Sequence, residues 1–387
     1  MRPLPLLIIL LVLDHVAFNG SRIAVSLTAI SQGATPLTVG LLMASFALLP
    51  ALLAVPAGRW IDGVGVQRPM MVGSVGVGIG TLLPFLLPQI AALYVASVLI
   101  GISFMLINVA AYHAVGELST ADDRTANFSY VALGFSTSSF IAPLLTGVAI
   151  DQLGHRTSFL VLALFTVMPA LVLALVGLPD TRRKVPAPVD SATGEKPSMF
   201  DLLRSPRMRH LFIAIAVLTV AWDIYTFAMP LYGTQIGLSA SQIGIVMGSF
   251  AAASFMVRLA MPFVASHVRP WQLITASMLL AAASYAAIPF SHSVGTLMAI
   301  MFVLGASLGA PHPMVLTLLH HSAPEGRAGE AVGLRTMFIN TSQTAMPLVF
   351  GVLGAALGLA PLFLAMTAAL LGGGALARRV ARQERAG

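Results

Sequence analysis

The sequence predicts an all-α membrane protein, twelve transmembrane helices in two pseudo-symmetric six-helix bundles, and three observations carry that prediction. Hydrophobic residues make up 57% of the 387 and charged residues only 9%, against roughly 25% charged in soluble domains. A soluble fold of this length has too little interior to hide so much apolar surface. Second, a membrane-crossing helix needs about 20 apolar residues, and twelve such stretches occur, at 5–31, 37–58, 69–88, 91–115, 126–150, 157–178, 210–232, 241–265, 271–290, 294–319, 330–355 and 359–377. Third, the second half repeats the first at a shift of 204 residues. Val16-Ala17-Phe18-Asn19 aligns with Val220-Ala221-Trp222-Asp223, and Gly40, Ser45 and Phe46 align with Gly244, Ser249 and Phe250. Gly101 meets Gly305, Pro143 and Gly147 meet Pro347 and Gly351, and Arg124 misses Arg327 by one position.

The spans divide the chain into a first bundle at 1–179, a polar cytoplasmic linker at 180–209 and a second bundle with a short basic tail at 210–387. The first span is too long for a signal-peptide core and carries Asp14, His15 and Arg22, so it reads as an uncleaved helix. The third holds Gly73, Gly76, Gly78 and Gly80, and the twelfth Gly372, Gly373 and Gly374. Gly76 and Gly80 share a helix face and permit close packing; no strand precedes them, so they do not form a nucleotide-binding loop. Between the sixth and seventh spans lies the run Asp180-Thr181-Arg182-Arg183-Lys184, and Met199-Phe200-Asp201-Leu202-Leu203 is apolar enough for a short helix along the membrane surface.

The net charge of +7 is distributed as a membrane protein's charge, not as a nucleic-acid footprint. With the N-terminus inside, Arg2, Arg59, Arg68, Arg124, the linker bases, Arg269, Arg327 and the tail from Arg378 to Arg385 all fall on the cytoplasmic side, and only Arg156 lies outside. That asymmetry predicts both termini in the cytoplasm, with the chain in the cytoplasmic (inner) membrane. There are no cysteines, which excludes disulfides and thiolate metal sites. His320-His321 lacks neighbouring carboxylates for a metal. No cofactor, phosphate loop or nucleophile–base pair is evident. Two copies of one hydrophobic bundle place a solute path between them near the bilayer midplane, so a transporter is expected and an enzyme is not.

The segment after the second span reads Gly58-Arg59-Trp60-Ile61-Asp62-Gly63-Val64-Gly65-Val66-Gln67-Arg68-Pro69. Its spacing of glycine, acid, glycine and arginine resembles the loop signature of the major facilitator superfamily. In the fifth span, Gly134 followed by Ala142-Pro143-Leu144-Leu145-Thr146-Gly147 resembles a degraded form of that family's antiporter signature, with Ala142 and Thr146 in place of glycines. The resemblance covers the whole chain and is nearest to the drug and metabolite:proton antiporters. Two departures stand out: Ser266 replaces the acid in the matching second-half loop, and Ser97-Val98-Leu99-Ile100-Gly101 stands where proton-coupled exporters of the family carry an arginine.

The resemblance implies that Asp62 pairs with nearby arginine and with the start of the eleventh span, latching the cytoplasmic side, with Gly58, Gly65 and Arg68 shaping that loop. Pro143 and Gly147 would kink and pack the fifth span. It also implies a central cavity lined by the first, fourth, seventh and tenth spans, which brings in Asn108, Asp223 and His312, and a monomer as the default. The residues themselves supply more. His15, Asn19, Arg22 and Ser26 share one helical face, and Asp14 lies about 100° round from His15. Ionisable groups within spans usually face a cavity or a partner. Asp14 could instead balance Arg22 or His15, and His312, between Pro311 and Pro313, could satisfy backbone carbonyls. Asn340 and Gln343 share a face toward the cavity, whereas Arg327, Glu330 and Arg335, near the cytoplasmic end, are expected in gate salt bridges, and Arg258, also near that end, is expected to snorkel or to serve the gate.

The expected function is alternating access driven by protons: export of a small organic compound by antiport, with Asp223 or Asp14 as coupling acid. Many Met and Phe residues suit a soft cavity for varied amphiphiles. The alternative is transport of a small organic anion, since Arg22, Arg258 and Arg335 are more bases than such an exporter needs. A receptor or scaffold without transport would need an additional domain or recognition tail.

Overall fold

The structure is a computed structural model that describes residues 3–119, 123–177, 199–264, 268–322, 324 and 328–386. It is helical throughout, with no strand among the described residues. In hydrocarbon a backbone N–H or C=O has no water to bond, so each apolar run must close its own hydrogen bonds as a helix. The helices are α1 (Pro3–Ser31), α2 (Pro36–Val64), α3 (Gln67–Leu86), α4 (Ile90–Leu118), α5 (Arg124–Leu175), α6 (Pro206–Gln235), α7 (Ala240–Val264), α8 (Pro270–Ala287), α9 (Val294–Gly309), α10 (Pro311–Ser322), α11 (Ala328–Leu357) and α12 (Leu359–Ala386). Among the described residues, ten segments are long and apolar enough to cross a membrane. Counting α5 as two crossings and adding the 30-residue α11 gives the twelve.

Three boundaries differ from the sequence expectation. The fifth and sixth spans run on as α5, broken only at Gly154. That glycine takes φ 82°, a left-handed value that costs a residue without Cβ nothing. The tenth span splits into α9 and α10 where Ala310 precedes Pro311, because proline lacks an N–H and disfavours helix in the residue before it. The stretch after Gly58 is not a loop: α2 continues to Val64 and ends at Gly65, whose φ is 79° and whose N–H bonds Ile61 O at 2.8 Å. Of the linker, residues 178–198 lie outside the described residues, and Met199–Arg204 forms a short 3₁₀ helix over the segment where a short helix was expected.

The chain forms two compact units, Met1–Val189 with Pro230–Gly248, and Asp190–Met229 with Ser249–Gly387. In the first, α1 packs along α5, and α3 lies between α4 and α5. Gly73 backs onto Ser103 O and Gly80 onto Ile100 of α4, so the missing side chains let these helices approach closely. The start of α7 belongs to this unit and sits against α5, with Gly147 facing Ala240 O and Gly244 facing Pro143 O. A capping box closes that end of α7: Ser239 N–H bonds Gln242 Oε1 at 2.9 Å and Gln242 N–H bonds Ser239 Oγ at 3.3 Å. Asp151 of α5 accepts the next two amides, from Ala240 at 3.1 Å and Ser241 at 2.8 Å. In the second unit α8 is the central neighbour, packed on α12 and α9. The fully buried Tyr285 of α8 donates its hydroxyl to Ala221 O of α6.

Candidate functional site

The second unit holds a cavity of about 210 Å³ lined from five helices. From α6 come Trp222 and Asp223, from α7 Arg258, from α10 His312, and from α11 Arg335 and Gln343, with apolar walls such as Leu218 and Ile339. Asp223 is 6% exposed and accepts the Ser342 hydroxyl of α11, which holds the carboxylate at the cavity wall. Arg258 lies over the Trp222 ring, 5.9 Å from its centroid. Arg335 approaches His312 Nε2 at 2.8 Å; a guanidinium can only donate, so the imidazole nitrogen accepts. One carboxylate, two guanidiniums and an indole therefore meet in one recess. Such a recess can take a small organic molecule with a polar or charged end and an apolar body.

The proline break between α9 and α10 puts Pro311 and His312 into this wall. Arg258 and Arg335, read as gate residues and, in the alternative, as bases for an anion, both line the cavity, from α7 and α11. Gln343 lines it, whereas its expected companion Asn340 is exposed and not part of the lining. The sequence reading left out Thr219 and Ser342. The repeat offered a signal for the serine, since position 342 is the mate of Ser138.

In the first unit the polar residues of α1 go two ways. His15 Nδ1 pairs with Ser138 Oγ of α5, and its ring meets Phe135 edge-on at 4.4 Å. Asn19 Nδ2 lies 3.3 Å from His15 Nε2 and donates to Ser139 Oγ at 3.4 Å. The Arg22 guanidinium lies over Phe18 at 6.0 Å. Asn108 of α4 is half-buried, and its Oδ1 has no hydrogen-bond partner among the described residues. Asp14 points elsewhere: it is fully buried, and its Oδ2 accepts from Ser74 Oγ of α3 at 2.7 Å. Its hydrogen-bond partner is therefore a serine, not the His15 or Arg22 considered for it.

Asp62, in the last turn of α2, lies 3.6 Å from His113 Nδ1 of α4, a contact that is ionic when the imidazole is protonated. His113 was not anticipated, and no motif marked it. Gly58 faces open space and Arg68 is exposed at the start of α3. Glu330 stands in the first turn of α11, where an acid complements the helix dipole. Arg327, its expected neighbour, lies outside the described residues. Pro143 and Gly147 are buried at the crossing of α5 with the start of α7.

Comparison with known proteins adds three findings. A family model described as Major Facilitator Superfamily matches residues 7–342 and, separately, 211–386. Among curated relatives, Multidrug resistance protein 1 of Bacillus subtilis is 22% identical over 359 residues, covering 90% of this chain and 89% of the relative. A putative sugar efflux transporter of Deinococcus radiodurans is 27% identical over 359 residues, covering 88% of each. Among solved structures, a bacterial homologue of the human lysosomal transporter Spinster superposes with a TM-score of 0.77 at 15% identity, covering 99% of this chain and 98% of that one. At that identity the likeness concerns the fold alone.

Proposed function

The chain belongs to the Major Facilitator Superfamily and is a transporter, and from that premise we propose that it exports small organic compounds across the cytoplasmic membrane in exchange for protons. The observation that carries this reading is the carboxylate of Asp223, buried beside Ser342 yet lining a cavity of solute size. A buried acid that a proton and a solute reach in turn couples the two by linkage: a solute that binds one protonation state better shifts the proton equilibrium, and the reverse. Relatives named for multidrug resistance and sugar efflux support export of organic solutes. Both termini are placed in the cytoplasm, on the distribution of arginine and lysine.

Asp62 is assigned the cytoplasmic latch, in contact with His113. Asp62→Asn keeps the shape and removes the charge, so turnover should fall steeply while equilibrium solute binding stays near wild type. Weakened binding with normal turnover would contradict the assignment.

Arg258 and Arg335 in the same cavity favour a second reading, in which the solute carries a negative charge. The two readings differ in the sign of one effect. A cation competes with the proton for Asp223, so acidification weakens its binding. An anion competes with the Asp223 carboxylate for the guanidiniums, so protonating that acid strengthens its binding. Arg258, His312 and Arg335 share the cavity with Asp223, and Tyr285 lies within reach of its charge. A quaternary ammonium and an arylsulfonate, whose charges do not change with pH, are the probes. Proton-antiport export of cationic or neutral compounds requires that acidification weaken ammonium binding and that Arg335→Gln leave it intact. Tighter sulfonate binding on acidification, lost in Arg335→Gln, would replace that reading with anion transport.

A further inference from the structure

A second recess, of about 280 Å³, lies at the far end of α12 and is lined by Leu279 of α8 and by Leu371, Gly374, Ala375, Arg378, Arg379 and Arg382 of α12. We propose that this recess binds an anionic phospholipid, its phosphate held by the arginines and the top of its acyl chains lying along the glycine-lined groove.

The depth of the recess in the membrane supports this assignment. α12 begins at Leu359, and at 1.5 Å per residue Arg378 lies about 28 Å along the helix. That is close to the hydrocarbon thickness of roughly 30 Å, so the three arginines stand at the headgroup level of one leaflet. Gly374 is one turn deeper, about 6 Å into the hydrocarbon. The sequence places four residues without bulk in a row here, Gly372 to Ala375. Gly373 backs onto Met278 and Gly374 onto Leu279, which leaves a shallow groove between α12 and α8. Its walls are apolar and face outward: Leu279 is 43% and Leu371 49% exposed.

The rim of the recess is strongly basic. Arg378, Arg379 and Arg382 are all exposed, and none forms an ion pair or hydrogen bond with another described residue. Complementing the helix dipole would account for arginines on any side of a C-terminal turn. It does not account for their gathering above an apolar groove. A soluble phosphate would use only the cationic rim, whereas a phospholipid matches both the rim and the groove. Basic pockets between transmembrane helices on the cytoplasmic side suit such headgroups, and the arginine distribution assigns this end of α12 to that side.

The test uses the full-length purified protein in neutral detergent, with bound lipid read by native mass spectrometry. Phosphatidylglycerol and phosphatidylcholine of identical acyl chains are offered in turn, with and without inorganic phosphate. Wild type should retain phosphatidylglycerol in preference to phosphatidylcholine, and millimolar phosphate should not displace it. Replacing all three arginines (R378Q, R379Q, R382Q) should weaken retention about a hundredfold, from the roughly 1 kcal/mol that each arginine contributes near an anionic surface. Ala375→Phe, which fills the groove and leaves every charge in place, should also reduce it and keeps the proposal testable should the triple variant misfold. Equal retention of the two lipids, unchanged retention in either variant, or ready displacement by phosphate would overturn the proposal.

Discussion

The two repeat copies share a scaffold and differ in charge. In the first, Phe18 of α1 meets Phe46 of α2 edge-on at 6.0 Å, and Gly101 of α4 lets the Phe46 carbonyl approach closely. In the second, Trp222 of α6 meets Phe250 of α7 edge-on at 4.9 Å, and Gly305 of α9 does the same for the Phe250 carbonyl. Every residue here is the mate of its counterpart at a shift of 204. The serine position repeats as well: Ser138 serves His15 of α1, and its mate Ser342 serves Asp223 of α6, one turn beyond Thr219, the mate of His15. What differs is the group being served. Around its serine the first copy has an imidazole and an amide, with Arg22 over Phe18, while its carboxylate, Asp14, is bonded to Ser74 of α3. The second has a carboxylate with two guanidiniums in one cavity. Backbone packing is shared by the two copies while the ionisable positions differ, so the copies are one device in architecture and two in chemistry.

The sharpest way to break this comparison is to move the acid. Asn19→Asp combined with Asp223→Asn restores one carboxylate at the repeat-related position, but beside His15 and Ser139 in place of Arg258 and Arg335. Proton-linked transport should stay at background in the double variant. Recovery would mean that the copies are interchangeable in chemistry as well as in architecture.

A smaller and symmetric effect is expected at the glycines. Gly101→Ala and Gly305→Ala each drive a methyl into a phenylalanine carbonyl, of Phe46 and of Phe250, and overpacking of this kind costs about 1–3 kcal/mol. Thermal unfolding in detergent should report similar losses for the two. A large loss for one and none for the other would show that the shared scaffold is not equally important in both copies.

Much of this was legible in the sequence for a physical reason. Spans announce themselves because lipid demands long apolar helices, and a repeat preserves the glycines and aromatics on which close packing depends. Asp223 and His312 were reached through the family resemblance, which lines a central cavity with the seventh and tenth spans, and both line the second unit's recess. Whether Arg258 and Arg335 end in the cavity or near the cytoplasmic end was not legible, because a long side chain can end well away from its own Cα. Gate and cavity then look alike along the chain. The contact of Asp14 with Ser74 was hidden for a related reason: helical periodicity gives a face but not the neighbour it meets. The same limit applied to His113 and Asp62, which are brought together by the packing of α4 beside α2.

The central claim is that the Asp223 carboxylate couples solute to protons. Its most direct test reconstitutes the protein in liposomes that enclose a pH-sensitive dye and adds cationic, neutral and anionic solutes in turn, comparing wild type with Asp223→Asn. The account predicts solute-dependent proton movement in wild type and none in the variant. Proton movement of equal size in both, or solute flux in wild type with no proton movement at all, would contradict it.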